Sequence, residues 1–527
     1  MVRTLVCLLV AQLLTAGACV TAQTLPDDID ISVTPNGIVP LPDTVGPVFT
    51  DLFDRYTKIT APNGGAIHFL LQDRVTDEMA VRAREIMRFY LTDAPGTVHG
   101  ADKTAVANSM ADLDATLVYF NTEADSFRAI EGPLGSTPLF FQDLYAEESV
   151  VEGSAEYVAN TNRDATLEEV FHLVHGAGIE PTLPTHHAEI TAATNAAMAA
   201  GLWIPPPDLP AADRPFEYII SIIDVQYGLW AHDPTRDGTS FYGEYAFNTP
   251  AAMAAGDPAG LTAMLAFLPP VFSFDCRVAA ELTGRFDCHA PEPSEEYVLK
   301  SRHLTRVRLT GSNDSDLTGN DWDNVLGGNS GDNDIECKGG TDTVVFTGPW
   351  AEYVITVDGS TTVEDTVPGR DGIDVVDADC ELLRFADRTV GPAPPAVPPT
   401  MRVAKLEPTG TTLSLSWDDV ACAGAVDHVL VHGGGSQLPT TASGTFEVGG
   451  GLCALGATSP FVWEGSVDAS SDPTGLAWWL LVATDGASVE GSWGLDGAGV
   501  ERLGPVPSGA SGLCGATERD LSNSCGR

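Results

Sequence analysis

Four apolar residues that follow one another at intervals of nine constrain the fold of this chain more than any other feature. They are Leu317, Leu326, Ile335 and Val344, and stretches rich in Gly, Asp and Asn fill the intervals between them. A nine-residue period with glycine at the turns is typical of a solenoid in which each half-turn buries one apolar side chain. Aspartate side chains and backbone carbonyls at such turns offer the hard oxygen ligands that calcium prefers. The segment therefore predicts a stacked β structure that can bind calcium.

Residues 309–346 resemble the RTX (haemolysin-type) calcium-binding repeats, whose consensus is GGxGxDxUx. Asp342 occupies the ligand position of that consensus, whereas Asn324 and Asn333 occupy the equivalent places in the preceding repeats, so the ligand charge is reduced. The resemblance implies bound calcium ions and a short β-roll. The carboxylates at or next to the ligand positions are Asp316, Asp323, Asp332 and Asp342.

The residues that follow the repeats are rich in β-branched side chains. The segments 353–357, 371–374 and 381–387 resemble the β cap that often closes such repeats. We therefore expect a β-roll and its cap over 305–390, followed by a semi-rigid proline-rich linker over 391–400.

The last part of the chain, 401–527, alternates strand-like runs with Gly, Ser and Asp. The runs at 413–417 and 478–483 resemble strands of fibronectin type III-like modules, and this resemblance implies a C-terminal β-sandwich. Three disulfide connectivities are open to the four cysteines of this part. These cysteines are Cys422, Cys453, Cys514 and Cys525.

Residues 24–300 mix strand and helix patterns and predict an α+β domain. Short apolar runs at 66–71 and 115–121 are of strand type. Helix-length apolar periodicity covers 76–90, 165–176, 186–201 and 216–230. With the regions described above, the pattern predicts a multidomain protein, which the length of 527 residues also favours.

The helix predicted over 165–176 carries a set of residues that commonly bind metals. Positions i, i+4 and i+7 place Glu168, His172 and His175 on one face of that helix. A carboxylate and two imidazoles in this arrangement could hold zinc.

This string resembles the HExxH helix of zincin metallopeptidases, with Glu168 in place of the first histidine. The resemblance implies that Glu168 and His172 are zinc ligands and that Glu169 is the catalytic base that activates water. Zincins also need a later ligand, and Glu217 lies in a segment similar to the glutamate helix of the gluzincin group. Weaker alternatives for that ligand are Glu244 and Glu189. A zincin-like domain implies a peptide or protein substrate.

A purely structural interpretation competes with the zinc site. Thr166 and Glu169 have the spacing of a capping box, in which the glutamate reaches back to the amide at the start of the helix. Glu168 would then be favoured in the first turn by the helix dipole. Both carboxylates would be explained without a metal ion.

The charge of the chain excludes one class of partner. Asp and Glu number 73 against 27 Lys and Arg, which gives a formal net charge of −46. Binding to a phosphate backbone depends on Lys and Arg that displace counterions, so nucleic acid is not an expected partner. The acidic excess suits divalent cations, a saline exterior or simple solubility.

The first residues predict export. Arg3 precedes an apolar run at 5–14 and then small residues, as in a signal peptide over 1–22. Cleavage before Cys19 would instead resemble processing of a bacterial lipoprotein, and a lipid anchor at that cysteine stays open. The apolar run is too short for a transmembrane helix, and no other apolar run in the sequence is long enough to form one.

The cysteines of the central region fall into local pairs. Cys276 lies near Cys288, and Cys337 lies in the same segment as Cys380. Even local groups favour disulfides within domains and therefore an oxidising compartment. We expect an extracellular protein or a cell-surface lipoprotein.

Two classes of function follow from the sequence. In the first, the protein is a secreted metallohydrolase, most simply a peptidase, whose repeats fold when calcium is present. In the second, the N-terminal domain has lost catalysis, and the protein is an extracellular binding or adhesion protein. A calcium-dependent toxin would need a pore-forming segment, which the sequence does not contain.

Overall fold

The computed structural model describes residues 24–160, 162–289, 297–358, 360–390, 402–406, 412–417, 425–439, 444–464, 472–494 and 501–521. The predicted signal peptide with Cys19, the linker 391–400, Cys422 and Cys525 lie outside these residues. The chain divides into two compact units, Met1–Gly311 and Ser312–Arg527. Both helices and several β-sheets are present, so the expectation of a multidomain α+β protein is confirmed at that level.

A five-stranded sheet forms the centre of the first unit, in the order β1-β2-β3-β4-β5. Its strands are β1 (Val39–Pro40), β2 (Arg55–Thr60), β3 (Ala66–Leu71), β4 (Thr116–Phe120) and β5 (Phe141–Tyr145). The pairs β1-β2 and β2-β3 are antiparallel, whereas β3-β4 and β4-β5 are parallel. Every residue of β3 and β4 is buried, which explains why both read as continuous apolar runs in the sequence.

The helices of this unit have the following bounds, in chain order: α1 (Pro47–Thr50), α2 (Asp77–Leu91), α3 (Thr104–Asp112), α4 (Glu123–Ile130), α5 (Ala155–Ala159), α6 (Thr166–Val174), α7 (Glu180–Thr182), α8 (Pro184–Ala200), α9 (Arg214–Gln226), α10 (Pro250–Gly256), α11 (Pro258–Leu265) and α12 (Tyr297–Ser301). The four predicted helices correspond to α2, α6, α8 and α9. Helix α6 ends two residues early because a π-helical turn, His175–Ile179, follows it.

Helix α6 is buried along its whole length and is therefore held from several sides. Tyr90 of α2 packs on Phe171 with ring centroids 5.0 Å apart, and its hydroxyl donates to the carbonyl of Leu167 at 3.2 Å. Arg82 of α2 also binds Asp164, at 2.9 Å, just before α6 begins. These contacts fix the start and the inner face of the helix that carries the candidate metal ligands.

Three short strands end the first unit: β6 (Cys276–Val278), β7 (Arg285–Asp287) and β8 (Arg306–Leu309), of which β6 and β8 pair in parallel. The predicted disulfide between Cys276 and Cys288 is wrong, because both thiols are free and buried. The carboxylate of Glu152 lies near Cys276 and accepts two hydrogen bonds of 2.8 Å from Arg82.

The nine-residue repeat forms two parallel ladders in the second unit. Its strands are β9 (Asp316–Thr318), β10 (Val325–Gly327), β11 (Asp334–Glu336) and β12 (Thr343–Val345). Leu317 pairs with Ile335 in one ladder, and Leu326 pairs with Val344 in the other, so successive repeats alternate between the ladders. All four of these side chains are at most 1% exposed. The sequence therefore predicted which residues lie inside.

The segment expected to be a cap contains an antiparallel hairpin and further strands of the same ladders. A hairpin of β13 (Tyr353–Asp358) and β14 (Ser360–Asp365) comes first. The next strands are β15 (Ile373–Val376), β16 (Leu382–Arg384) and β17 (Thr389–Val390). Strand β15 pairs in parallel with β11 and β16 with β12, so Val376 and Leu383 continue the two apolar rows. The predicted pair Cys337–Cys380 is a disulfide.

Two sheets, antiparallel except for one strand pair, make up the described part of 402–521. One contains β18 (Arg402–Lys405), β19 (Thr412–Ser416) and β22 (Phe461–Glu464). The other contains β20 (Asp427–Gly434), β21 (Gly450–Leu452), β23 (Ala477–Thr484), β24 (Val489–Glu490) and β25 (Glu518–Arg519), the last pairing in parallel with β24. Leu415 and Trp463 of the first sheet share a buried cluster with Leu430 and Leu481 of the second. A disulfide joins Cys453 to Cys514.

Within the residues that the structure describes, none of the helices combines the length and the apolar character needed to cross a membrane.

Candidate metal centre

Two helices of the first unit bring three potential ligands together. Glu168 and His172 project from α6, and Glu217 projects from the first turn of α9. One ligand atom from each of the three lies within 4.8 Å of the other two. His172 Nε2 lies 3.6 Å from Glu217 Oε1, close to the separation of about 3.3 Å expected for two ligands at about 2.0–2.1 Å from a tetrahedral zinc ion. The donor set and its spacing both suit zinc.

The two ring nitrogens of His172 have different surroundings. Nδ1 lies 3.4 Å from Glu169 Oε2, and the same oxygen accepts a hydrogen bond of 2.7 Å from Gln142 Nε2. Nε2 is buried and has no hydrogen-bond partner. A buried polar nitrogen normally has a hydrogen-bond partner, so one without a partner needs an explanation, and the capacity to ligate a metal ion is one such explanation.

Glu169 therefore contacts the side of the ring that faces away from Glu217. In many metal sites a carboxylate accepts the second N–H of a ligating histidine and so fixes the tautomer and the ring orientation. The geometry favours this orienting function for Glu169 over the predicted function as a base, since a base would have to reach the opposite side of the imidazole.

The electrostatics of the cluster favour a positive charge at its centre. Burial alone would lower the pKa of His172, but the surrounding carboxylates, led by Glu217, raise it to about 10. Burial raises the pKa of Glu217 to about 8, although His172 opposes the shift. Burial also raises the pKa of Glu169. A proton on the imidazole compensates part of the carboxylate charge, and a divalent cation would compensate it more fully.

Arg163 connects the cluster to a neighbouring cavity. Its guanidinium forms an ion pair with Glu168 and lies over the ring of Phe241, 4.9 Å from the centroid. It also lines a cavity of about 120 Å³, together with Trp230 and Asp224. Asp224 Oδ1 is buried in that region without a hydrogen-bond partner. The cavity offers both aromatic and charged surface beside the metal ligands.

His175 is not part of the cluster, contrary to the prediction from helical spacing. Its Nε2 lies 3.0 Å from His187 Nδ1, and its ring packs on Phe216 with centroids 4.2 Å apart. Seven residues of α-helix advance about 10 Å along the axis, so a residue at i+7 shares the face of Glu168 but lies too far along it to share one ion. The π-helical turn that begins at His175 then carries the chain toward α8.

The capping box that would explain Glu169 without a metal is not formed, whereas Glu168 does lie in the first turn of α6, where the helix dipole favours it. Thr166 is the first residue of α6, and Ala165, which precedes it, has no side chain that could cap the helix. The hydroxyl of Thr166 donates instead to Asp164, at 2.8 Å. Glu169 is consequently free of the capping function and bonds His172.

The predicted calcium ligands of the repeat are distributed along the ladders. Asp316 accepts the amide of Asp334 at 3.1 Å, Asp323 accepts that of Thr341 at 2.8 Å, and Asp332 accepts that of Ile373 at 2.9 Å. Each carboxylate thus bonds a backbone amide on the next turn. Among the described residues, none of the four predicted aspartates belongs to a set of converging acidic, His or Cys ligands.

Asparagines complete the hydrogen bonding at two of the turns. The amide nitrogen of Asn333 donates to the carbonyl of Ser315 at 2.7 Å and to Asn329 Oδ1 at 3.1 Å. The amide nitrogen of Asn324 donates to Asn320 Oδ1 at 3.0 Å. The side-chain amides of these two asparagines thus satisfy oxygen acceptors at the two turns.

Asp342 differs from the other ladder aspartates. Its Oδ1 accepts the amide of Asn324 at 2.6 Å, but its Oδ2 is buried and has no partner. Burial, reinforced by the charge of Glu381, raises its pKa to about 7. Among the four predicted aspartates, Asp342 is the one that matches the ligand position of the RTX consensus, and its Oδ2 has no hydrogen-bond partner.

Comparison of the chain with protein-family models, with curated proteins and with solved structures yields no match, so the site is judged by its own geometry.

The sequence did not indicate Gln142 or Arg163 as parts of the centre. Gln142 belongs to β5 and reaches α6 only through packing of the helix on the sheet. Arg163 lies five residues before its partner Glu168, in a segment without periodic pattern. The weaker alternatives do not join the cluster either, and Glu189 bonds His99 Nε2 at 2.9 Å.

Proposed function

We propose that the first unit is a zinc-dependent hydrolase acting on peptides or proteins, with Glu168, His172 and Glu217 as the zinc ligands. The observation that carries the proposal is the buried Nε2 of His172, which has no hydrogen-bond partner and lies between two carboxylates from different helices. The substrate class rests on the resemblance of α6 to the zincin helix.

Each residue has a separate task in this proposal. Glu169, held by Gln142, fixes the His172 ring through Nδ1 so that Nε2 points at the ion. Arg163 balances the charge of Glu168 and forms the boundary with the cavity, where a substrate side chain would bind. A zinc ion held by the three ligands would supply Lewis-acid polarisation of the scissile carbonyl.

We infer further that the protein works outside the cell. The signal-type N-terminus supports export, either as a released protein or as a lipoprotein anchored at Cys19. Two disulfides, Cys337–Cys380 and Cys453–Cys514, suit an oxidising compartment.

Zinc content and casein hydrolysis of the full chain test the enzyme proposal. His172→Ala is expected to lose one equivalent of zinc relative to the wild type and all hydrolysis, because the imidazole is the only nitrogen ligand of the set. His187→Gln provides a matched control, since this imidazole bonds His175 and not the cluster. The control is expected to keep both properties.

Two other outcomes would decide against the proposal in different ways. Equal zinc content in the wild type and in His172→Ala would show that the cluster is not a zinc site. Loss of zinc without any hydrolysis by the wild type on casein or on mixed peptides would leave a non-catalytic metal-binding domain, as in an extracellular binding or adhesion protein.

A second proposal concerns the repeat, where we infer that calcium binds at Asp342. The buried Oδ2 without a partner favours this position over the other ladder aspartates, and Glu381, Asp379 and Asp323 contribute negative charge around it. One ion there would satisfy the oxygen and relieve the repulsion between carboxylates.

Calcium binding is tested by hydrogen exchange of β10 and β12 in the full chain, because an ion that binds only the folded ladder slows exchange of these strands. Calcium at 100 times its Kd is expected to stabilise the folded ladder by about 2.7 kcal/mol. Asp342→Asn should abolish that protection, whereas Asp377→Asn, a change at an exposed carboxylate of the same unit, should retain it. Equal exchange with and without millimolar calcium in the wild type would contradict calcium binding.

A further inference from the structure

A second cluster of metal-ligand side chains lies in the first unit, apart from the centre around His172. It contains His99, His186 and Glu189, with one ligand atom of each within 4.8 Å of the other two. Glu189 Oε2 lies 2.9 Å from His99 Nε2 and 3.6 Å from His186 Nδ1. One carboxylate oxygen therefore lies between two imidazole nitrogens that come from distant parts of the sequence.

The two histidines are held rigidly. His186 is 1% exposed, stands in the first turn of α8 and stacks on Phe267 with ring centroids 5.6 Å apart. The amide of His99 donates to the carbonyl of Ala266 at 2.7 Å. A Cβ on Gly100 would lie 2.0 Å from the carbonyl oxygen of Phe267, so only glycine allows the loop to pack this closely. The segment after α11 thus positions both rings.

Hydrogen bonding does not account for the whole arrangement. The contact between His99 and Glu189 is an ordinary hydrogen bond, but His186 Nδ1 is buried without a hydrogen-bond partner, and the carboxylate oxygen at 3.6 Å is beyond hydrogen-bond reach. Removing a polar atom from water without replacing its hydrogen bond is unfavourable. A metal ion bound between the three side chains would be ligated by His186 Nδ1.

We propose that His99, His186 and Glu189 form a second zinc site, separate from the one proposed for the hydrolase. The ligand separations of 2.9 and 3.6 Å lie on either side of the value of about 3.3 Å expected for a tetrahedral zinc ion. Two imidazoles and one carboxylate form a borderline donor set that suits zinc better than calcium or magnesium. Glu189 is 49% exposed, so the ion can enter from solvent and keep water as a fourth ligand.

Zinc at this site would connect the 92–103 loop that carries His99 to the start of α8. The turn after α11 contacts both segments, through the amide of His99 and the ring of His186. The site shares no residue with the Glu168, His172 and Glu217 set. Its occupancy is therefore independent of whether the other centre binds zinc or catalyses a reaction.

Titration of the metal-free full chain with cobalt(II), used as a spectroscopic substitute for zinc, tests the proposal. The double variant His99→Asn/Glu189→Gln leaves one of the three ligands and is expected to bind one equivalent less than the wild type, or to bind it at least tenfold more weakly. His172→Ala should retain that equivalent. Glu131→Gln removes an exposed carboxylate elsewhere in the unit and serves as the control.

The same stoichiometry and affinity in the wild type and in a folded double variant would overturn the proposal. Crystals of the wild type soaked in zinc give a second measurement that does not depend on the folding of any variant. An anomalous peak between His99, His186 and Glu189 at the zinc edge supports the site, and the absence of a peak there at saturating zinc refutes it.

Discussion

The His172 cluster and the repeat ladders use carboxylates in opposite ways. In the first, two helices bring acidic groups from separate elements to one imidazole, whose Nε2 stays without a hydrogen bond. In the second, each turn contributes one acidic or amide side chain that bonds a backbone amide of a neighbouring turn. Helix packing concentrates ligands at one point, whereas a solenoid distributes them along its axis. A carboxylate near other acidic groups is therefore not by itself evidence of a metal site.

The largest expected effect is on stability and concerns Asp374. In the ladder, Asp374 lies at the position equivalent to Asn333 on the neighbouring strand. Burial raises its pKa to about 8. Between about pH 4, where an unfolded aspartate titrates, and pH 8, the folded state holds a proton that the unfolded state has lost. Stability must therefore fall as the pH rises through this window.

Asp374→Asn should remove that dependence, because an amide side chain keeps the oxygen that accepts the amide of Asn333. At pH 8 the free energy of unfolding of the variant is expected to exceed that of the wild type by about 1.4 kcal/mol for each unit by which folding raises the aspartate pKa. Hydrogen exchange of β11 and β15 in a calcium chelator, at pH 6 and pH 8, measures it. A variant with the pH dependence of the wild type would mean that this carboxylate does not limit the stability of the ladder.

The next effect tests whether packing holds the ladders together. Ile335→Ala deletes a fully buried side chain and is expected to cost about 2–5 kcal/mol. Val354→Ala, at a side chain that is 50% exposed on the hairpin, should change stability by about 0.5 kcal/mol or less. Urea denaturation followed by exchange of β9 and β11 compares the two. Similar losses in both variants would argue against a packed interior.

The smallest effect concerns the helical centre. Glu169→Gln is expected to weaken zinc binding about 10- to 100-fold, since in the proposed site this residue orients a ligand without being one. Zinc affinity measured by competition with a chromophoric chelator gives the value. Glu180→Gln on α7 serves as the matched control. Unchanged zinc affinity together with complete loss of hydrolysis would restore the predicted function of Glu169 as the base.

The sequence predicted the apolar rows of the repeat and the helices of the first unit because both depend on local periodicity. It also predicted Glu168, His172 and Glu217 as a set, which the structure brings together. It failed for His175, since spacing on a helix face does not include distance along the axis. It also missed His99, which reaches the second cluster through a loop whose path depends on the tight packing of Gly100.

The sequence did not show that the ladders continue beyond the repeat, for a related reason. The hairpin between β12 and β15 interrupts the nine-residue period, so the periodic pattern could not reveal the later turns. Their partners are set by stacking on Ile335 and Val344, which is a property of the folded ladder and not of the neighbouring sequence.

That hairpin also has a consequence for how the protein can change. The hairpin is inserted between two turns, yet the strands before and after it stay in register with the ladders. The pairing of the stacked strands therefore does not depend on the length of the inserted segment. Insertions of this kind in repeat proteins project from one face and can vary without loss of the core. Strand β14 nevertheless pairs with β15 and buries Val363, so an exchange of this surface element would have to preserve that edge of the ladder.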